Sequence, residues 1–368
     1  MSLGLPRQLA GILLPLTCLL AFALNGWAGD PVDDFVNPYL TEHKIPGCAI
    51  MVRDHGKVFT KGYGKANLEC DVDVTPQTLF QSASVGKQFT ATAVMLLVEE
   101  RKLSLDDPVS KHLDVPKTWA GIKVKHLLTH TSGLGDYPDW ITYKENYDER
   151  ELLNMIKKQP LSFKPGERFN YSNLGYVTLG IIIHKVSHEL YGDLLQKRVF
   201  DRLGMKHTRI ISEEDIIANR AAGYVLDKNG AQKNQEWVSP TFNTTADGTL
   251  YFTVEDLAKW DEALDAQKLL SPASFEQMWT PFKPENECES RYGFGWFICN
   301  LNSGHRLLWH DGRWQGFSAY IARYPDDHVT VVALCNLRDA KTGYIAERIA
   351  SFYAPALESP AQLKTQTR

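Results

Sequence analysis

Two kinds of apolar periodicity divide this chain, and their order restricts its fold. Near the start, Cys48-Ala49-Ile50-Met51-Val52 and Val58-Phe59-Thr60-Lys61-Gly62-Tyr63-Gly64 flank a turn at Asp54-His55-Gly56-Lys57. Strand-like runs around a glycine-containing turn predict a hairpin. Strand signals return at residues 292–300, 306–310, 317–324 and 329–334, separated by turns at Asn302-Ser303-Gly304 and Pro325-Asp326-Asp327. A helix-like run over 344–353 closes them. Between these ends the spacing turns helical, over 124–128, 149–158, 172–187, 191–198 and 254–266. Strands at both ends with helices between them predict an α/β fold of the α+β type. One antiparallel sheet, flanked by helices and built from both termini, carries a large helical insertion. The predicted division is a sheet domain of residues 29–83 plus 285–368 and a mostly helical domain of residues 84–284. An active site is expected at their interface, where clefts form.

The first residues predict a compartment. Arg7 precedes an apolar stretch over 9–24, and Asn25-Gly26-Trp27-Ala28 offers small residues at Gly26 and Ala28. This pattern reads as a signal peptide over 1–28, removed near Gly29, with the mature protein periplasmic or secreted. The competing reading is an uncleaved anchor; Pro15 and the short apolar core count against it. No stable membrane insertion is expected after cleavage. A net charge of -4 gives no electrostatic case for nucleic acid. Cleavage leaves Cys48, Cys70, Cys288, Cys299 and Cys335, an odd number, so at least one thiol stays free. Cys48, Cys299 and Cys335 fall in strand-like runs and are expected as small buried residues. Cys70 and Cys288 lie in loop-like sequence and are the candidate pair. No C-x-x-C occurs, and neither a metal nor a cofactor is indicated.

Ser84-Val85-Gly86-Lys87 opens a helical run in which Phe89, Ala93, Leu96 and Leu97 share a face. Ser84 is therefore expected at a helix N-terminus, with Lys87 one turn on. A hydroxyl placed there has a free backbone N–H beside it, a favourable helix dipole, and an amine in reach to take its proton. Alone, Ser-x-x-Lys is a two-residue pattern that chance supplies, and such a serine is ordinarily an N-cap. Partners decide the matter. Phe169-Asn170-Tyr171-Ser172-Asn173-Leu174-Gly175-Tyr176 starts a helix after Pro165-Gly166, and Tyr171 and Asn173 can face one cavity. Trp309-His310-Asp311-Gly312-Arg313-Trp314 puts a histidine at a strand start and a glycine two residues later, which would let a substrate lie against the strand edge.

These three elements, in this order, resemble the penicillin-recognising serine hydrolases: class C β-lactamases, D,D-carboxypeptidases, and related esterases and D-amino-acid peptidases. Looser stretches fit the same family, among them Leu103-Ser104-Leu105-Asp106-Asp107-Pro108, Leu127-Leu128-Thr129-His130-Thr131-Ser132-Gly133-Leu134 and Thr253-Val254-Glu255-Asp256-Leu257-Ala258-Lys259-Trp260. The resemblance implies a serine β-lactamase-like fold and an exported hydrolase working through an acyl-enzyme. It implies Ser84 as nucleophile, with Lys87 and Tyr171 sharing its proton, either one being the base. Asn173 would hold Lys87 and the substrate amide. Backbone N–H groups of Ser84 and Arg313 would form the oxyanion hole. Gly312, Arg313 and Tyr137 are the expected substrate-binding residues.

His310 stands where many members have lysine, which looks more like the esterase and D-peptidase branches. It would keep a proton near Tyr171 or bind a substrate carboxylate. The expected substrate is thus a small molecule or peptide, an ester or a D-configured amide. A β-lactamase or D,D-carboxypeptidase is the first alternative, and a non-catalytic wall- or peptide-binding protein the second. His184 and His188 have zinc-like i, i+4 spacing, but Lys185 follows His184 and no third ligand is evident. His130 is expected to be structural, and Asp136, Tyr137, Trp140, Tyr143 and Tyr147 to pack a loop that can also wall the substrate site.

Overall fold

A computed structural model describes Met1 and residues 30–139, 141–282, 291–355 and 357. Apart from Met1, the stretch read as a signal peptide lies outside the described residues, as do Cys288 and Trp140. The first part of the chain forms α1 (Pro31–Glu42), β1 (Gly47–Asp54), β2 (Lys57–Asn67), β3 (Val72–Asp73), β4 (Phe80–Gln81) and α2 (Lys87–Glu99). There follow α3 (Val124–Leu128), α4 (Glu149–Lys157), α5 (Asn173–Ser187), α6 (Tyr191–Leu195), α7 (Asp201–Leu203), β5 (Arg209–Ile210), β6 (Tyr224–Leu226) and β7 (Gln232–Asn234). Next come β8 (Leu250–Phe252), α8 (Val254–Asp265), α9 (Pro272–Met278), β9 (Phe297–Asn300), β10 (Arg306–Trp314), β11 (Phe317–Tyr324), β12 (Val329–Cys335) and α10 (Thr342–Tyr353).

The main sheet has the order β3-β2-β1-β12-β11-β10-β9. Its strands pair antiparallel, and β1 against β12 joins the two ends of the chain. Alternation in β1 sorts its side chains between two cores. Ala49 and Met51 enter the core shared with α2, α5 and α8, while Cys48, Ile50 and Val52 enter a second core with α1 and α10. Each fully buried Ile, Val or Met contributes about 1.5–3 kcal/mol, so this double-sided burial makes β1–β12 a stable spine.

Helix starts follow local chemistry. The Asp30 side chain accepts from Val32 N at 2.9 Å, Pro31 opens α1, and Asp33 and Asp34 lie in its first turn. These cap signals mark α1 in a segment for which the apolar periodicity predicts no element. The Ser172 side chain accepts from Gly175 N at 3.0 Å and starts α5 one residue later than the periodicity suggests.

Several expectations are corrected. Strand β9 begins at Phe297, not at residue 292, and β10 runs on to Trp314. His310 therefore sits in mid-strand rather than at a strand start. The middle of the chain also holds short strands, with β4, β8 and β5 forming a three-stranded sheet. Cys70 is unbonded and exposed, not paired with Cys288; Cys48 and Cys335 are likewise unbonded in this structure but buried; and Cys299 is disulfide-bonded rather than a simple buried thiol. Among the described residues no helix is long and apolar enough to cross a membrane.

Candidate active site

Ser84 lies in a 3-10 turn, Ala83–Gly86, that runs directly into α2. Ala83 before it has φ +44°, a strained backbone for a residue with a Cβ. Two glycines let this turn be approached. A Cβ on Gly248, whose φ is +138°, would meet Ala83 O at 2.1 Å and Ser84 Cα at 3.0 Å. A Cβ on Gly312 would meet Ser82 O and Ser84 N at 2.8 Å. Gly312 is thus the point where β10 passes against the serine turn, and a side chain there would push the two apart.

Lys87 is fully buried and its Nζ donates to Ser84 Oγ at 2.9 Å, to Asn173 Oδ1 at 2.7 Å and to the Asp247 carbonyl oxygen. Burial lowers its pKa to about 8, against the opposing pull of Asp247, Asp136 and Asp311. Tyr171 holds its ring centroid 5.0 Å from Lys87 Nζ. Burial pushes its phenol well above the ordinary value, with Ser84 pulling the other way. Among the described residues its hydroxyl has no hydrogen-bond partner of good geometry. Burial thus favours the neutral form of both groups, the amine of Lys87 and the phenol of Tyr171.

Asn173, the first residue of α5, accepts from Lys87 and gives its amide hydrogens to the Asp136 carboxylate at 3.1 and 3.0 Å. His130 backs Tyr171, with ring centroids 4.2 Å apart, and its Nδ1 accepts from Ser172 N at 3.1 Å. That bond gives His130 a structural role behind the phenol.

His310 is fully buried, and both of its ring nitrogens are engaged. Nδ1 lies 2.6 Å from the Asp311 carbonyl oxygen and Nε2 lies 2.8 Å from the Tyr292 hydroxyl. A carbonyl only accepts, so Nδ1 carries the hydrogen and Tyr292 donates to Nε2. Burial and the nearby Lys87 charge lower its pKa to about 3, so the ring is neutral. Neither sequence-based role for His310 fits this arrangement. The Asp311 carbonyl takes its Nδ1 hydrogen, leaving none for Tyr171, and a buried neutral ring offers a substrate carboxylate no charge.

The backbone direction of Arg313 follows from the sheet. Asn336 N donates to Gly47 O at 3.2 Å, so the next pair, Cys48 and Cys335, is a non-hydrogen-bonded pair. Alternation across Cys335–Ser318 and Ser318–Arg313 then turns the Arg313 N–H and C=O away from β11. Pairing with β9 ends at Trp309, so that N–H faces an open edge, beside the serine turn.

A cleft of about 330 Å³ opens at Ser84, within the size range of small-molecule sites. Asp136, Tyr137, Asn173 and Asp247 line one part, and Arg313, Trp314 and Arg338 another. Tyr137 donates to Asp247 Oδ2 at 3.2 Å and packs edge-on to Tyr143 and Phe242. Tyr147 packs on Phe242. Asp247, Phe242, Arg338 and Tyr292 were not singled out as site residues, whereas bulky Trp314 after Gly312 was expected to narrow the cleft edge and does line it. Only Asp247-Gly248 carries a local signal, as an Asp-Gly turn. His184 bonds Glu149 at 2.8 Å and His188 is the left-handed C-cap of α5, so the pair has structural work. Among the described residues no group of three His, Cys, Asp or Glu is placed to hold a metal ion.

A serine, a lysine and an asparagine joined by hydrogen bonds, beside an open strand of a sheet built from both termini, define a serine β-lactamase-like protein. A family model described as Beta-lactamase matches residues 32–354, and the chain belongs to that family of serine hydrolases. Penicillin-binding protein 4* of Bacillus subtilis (strain 168) is 31% identical over 313 residues, 80% of this chain and 69% of that protein. The chain spans about two thirds of the length of the curated relatives it matches. The octameric penicillin-binding protein homologue from Pyrococcus abyssi has a TM-score of 0.80 and 31% identity, over 90% of this chain and 78% of that one. D-amino acid amidase from Ochrobactrum anthropi SV3, solved with L-phenylalanine amide, shares the fold with a TM-score of 0.74 and 22% identity, over 91% of this chain and 100% of its own.

Proposed function

We propose that the chain hydrolyses an ester or a D-configured peptide or amide through an acyl-enzyme on Ser84, after export to the periplasm or beyond the cell. The observation that carries this reading is the buried Lys87 amine 2.9 Å from Ser84 Oγ with its pKa lowered to about 8. Neutral Lys87 takes the Ser84 proton as Oγ attacks the carbonyl carbon. The negative charge on the carbonyl oxygen is received by the Ser84 and Arg313 N–H groups, at about 3 kcal/mol per donor. Tyr171, a neutral phenol whose ring lies 5.0 Å from Lys87 Nζ, gives its proton to the leaving group and regains one from Lys87. Water then attacks the acyl-enzyme by the same route in reverse.

Neutral His310 supports the ester and D-amide reading, because the place of the family's lysine holds no charge. The β-lactamase or D,D-carboxypeptidase reading has one specific support, the two cleft arginines, Arg313 and Arg338, which suit a carboxylate. The test is a panel on purified protein: p-nitrophenyl esters, a chromogenic cephalosporin, D-Ala-D-Ala peptides and D-amino-acid amides. Turnover of esters or D-amides well above the cephalosporin supports the proposal. Fastest turnover of the cephalosporin or of D-Ala-D-Ala replaces it with the second reading, and no turnover of any member replaces it with a binding role.

A further inference from the structure

We propose that Cys48 and Cys335 form a disulfide that staples β1 to β12, joining the two terminal parts of the sheet. The two residues are register partners in adjacent antiparallel strands. They occupy a non-hydrogen-bonded position, because the neighbouring pair Gly47 and Asn336 carries the ladder bond. Such positions bring Cα atoms to about 4.5 Å and side chains closest together, inside the span a disulfide bridges. Both side chains point into the same core, under α10, and their Sγ atoms stand 2.6 Å apart. Two unbonded sulfurs are crowded at this distance, and a covalent bond between them removes the crowding.

The chemistry is thiol–disulfide exchange with a disulfide-bearing oxidant. One cysteine thiolate attacks a sulfur of the oxidant, giving a mixed disulfide and releasing one thiol. The second cysteine thiolate then attacks the first cysteine's sulfur and releases the other thiol. Two electrons pass to the oxidant's disulfide, which leaves as two thiols. Both cysteines are 0% exposed in the folded chain. The exchange therefore belongs to folding, before β12 closes on β1. Burial also raises the Cys335 thiol well above its ordinary value, which removes the attacking thiolate once the sheet has closed.

The position matters for the site. Cys48, Cys335, Ser318 and Arg313 lie in one row across β1, β12, β11 and β10. The row ends at the N–H facing the serine turn, so the staple fixes the register that presents it.

The test starts from full-length protein, reduced and denatured, then refolded in a mixture of oxidised and reduced glutathione. Refolded protein is alkylated in denaturant and digested without reductant for mass spectrometry. Protein purified without reductant is mapped in parallel, so that a refolding failure does not leave the question open. The expected result is one peptide pair linked through Cys48 and Cys335, released by dithiothreitol. In Cys335→Ala the Cys48 peptide should carry the alkyl label instead. Full alkylation of both cysteines in either wild-type preparation overturns the proposal, as does either cysteine linked to another cysteine or to glutathione.

Discussion

Tyr292 donates its hydroxyl hydrogen to His310 Nε2 at 2.8 Å, behind the phenol of Tyr171. The pair fixes one tautomer of a neutral histidine in the core of the site and packs against the ring of Tyr171. Tyr292→Phe and His310→Ala should both lower kcat about 10-fold or more, with KM little changed for neutral esters and carboxylate substrates alike, because the pair positions Tyr171 and does not touch substrate. Neither variant should move the pH profile, since His310 with a pKa near 3 does not titrate at neutral pH. A KM increase confined to carboxylate substrates would show that His310 binds them.

The acylation rate should carry the signature of Lys87. Protonated lysine cannot accept the Ser84 proton, so kcat/KM should rise with pH and level off above about 8, where the amine is neutral. Lys87→Ala should lower kcat/KM by about 10²–10⁴. The check is a pH profile of wild type and variant with one neutral ester. A wild-type profile that keeps rising well above pH 8 without levelling off would assign the base to a phenol instead.

Gly248 should tolerate no side chain. Gly248→Ala would place a Cβ 2.1 Å from Ala83 O at a φ of +138°. Thermal unfolding should show a loss of about 2–4 kcal/mol, as overpacking and backbone strain add. Gly135→Ala, which meets nothing within 4 Å, is the control and should leave the melting temperature unchanged.

Far from the cleft, Asp261 should hold β1, β11 and β12 to α8. It is fully buried and receives Arg323 Nε, Arg53 at 3.0 Å and Thr330 Oγ1 at 3.0 Å. Asp261→Ala takes one of two carboxylate partners from the buried Arg323 guanidinium, leaving Asp265, and should cost about 1–3 kcal/mol in denaturant unfolding.

The sheet was legible because its strands carry unbroken apolar runs bounded by turns, and β1 and β12 are buried on both faces. Ser84, Lys87 and Asn173 were legible for a different reason. Each lies within three residues of a helix start, so local spacing located them, while their roles came from the resemblance that the three ordered elements carry. Asp247 was not legible as a site residue, because its partner Lys87 is 160 positions away and the contact uses a backbone oxygen. The His310–Tyr292 bond is similar: the two side chains meet only after β10 extends past His310, and strand periodicity says nothing of which buried polar groups face one another. The Cys299 disulfide was missed since a half-cystine and a buried thiol look alike in a strand-like run.

The central claim is that Ser84 carries the acyl group. A short p-nitrophenyl ester mixed with excess over enzyme and quenched in acid tests it directly, by intact mass and peptide mapping. The account predicts a mass increase equal to the acyl group, confined to the peptide containing Ser84 and absent in Ser84→Ala, whose turnover falls by about 10³ or more. An adduct on any other residue, or unchanged turnover in Ser84→Ala, would contradict it.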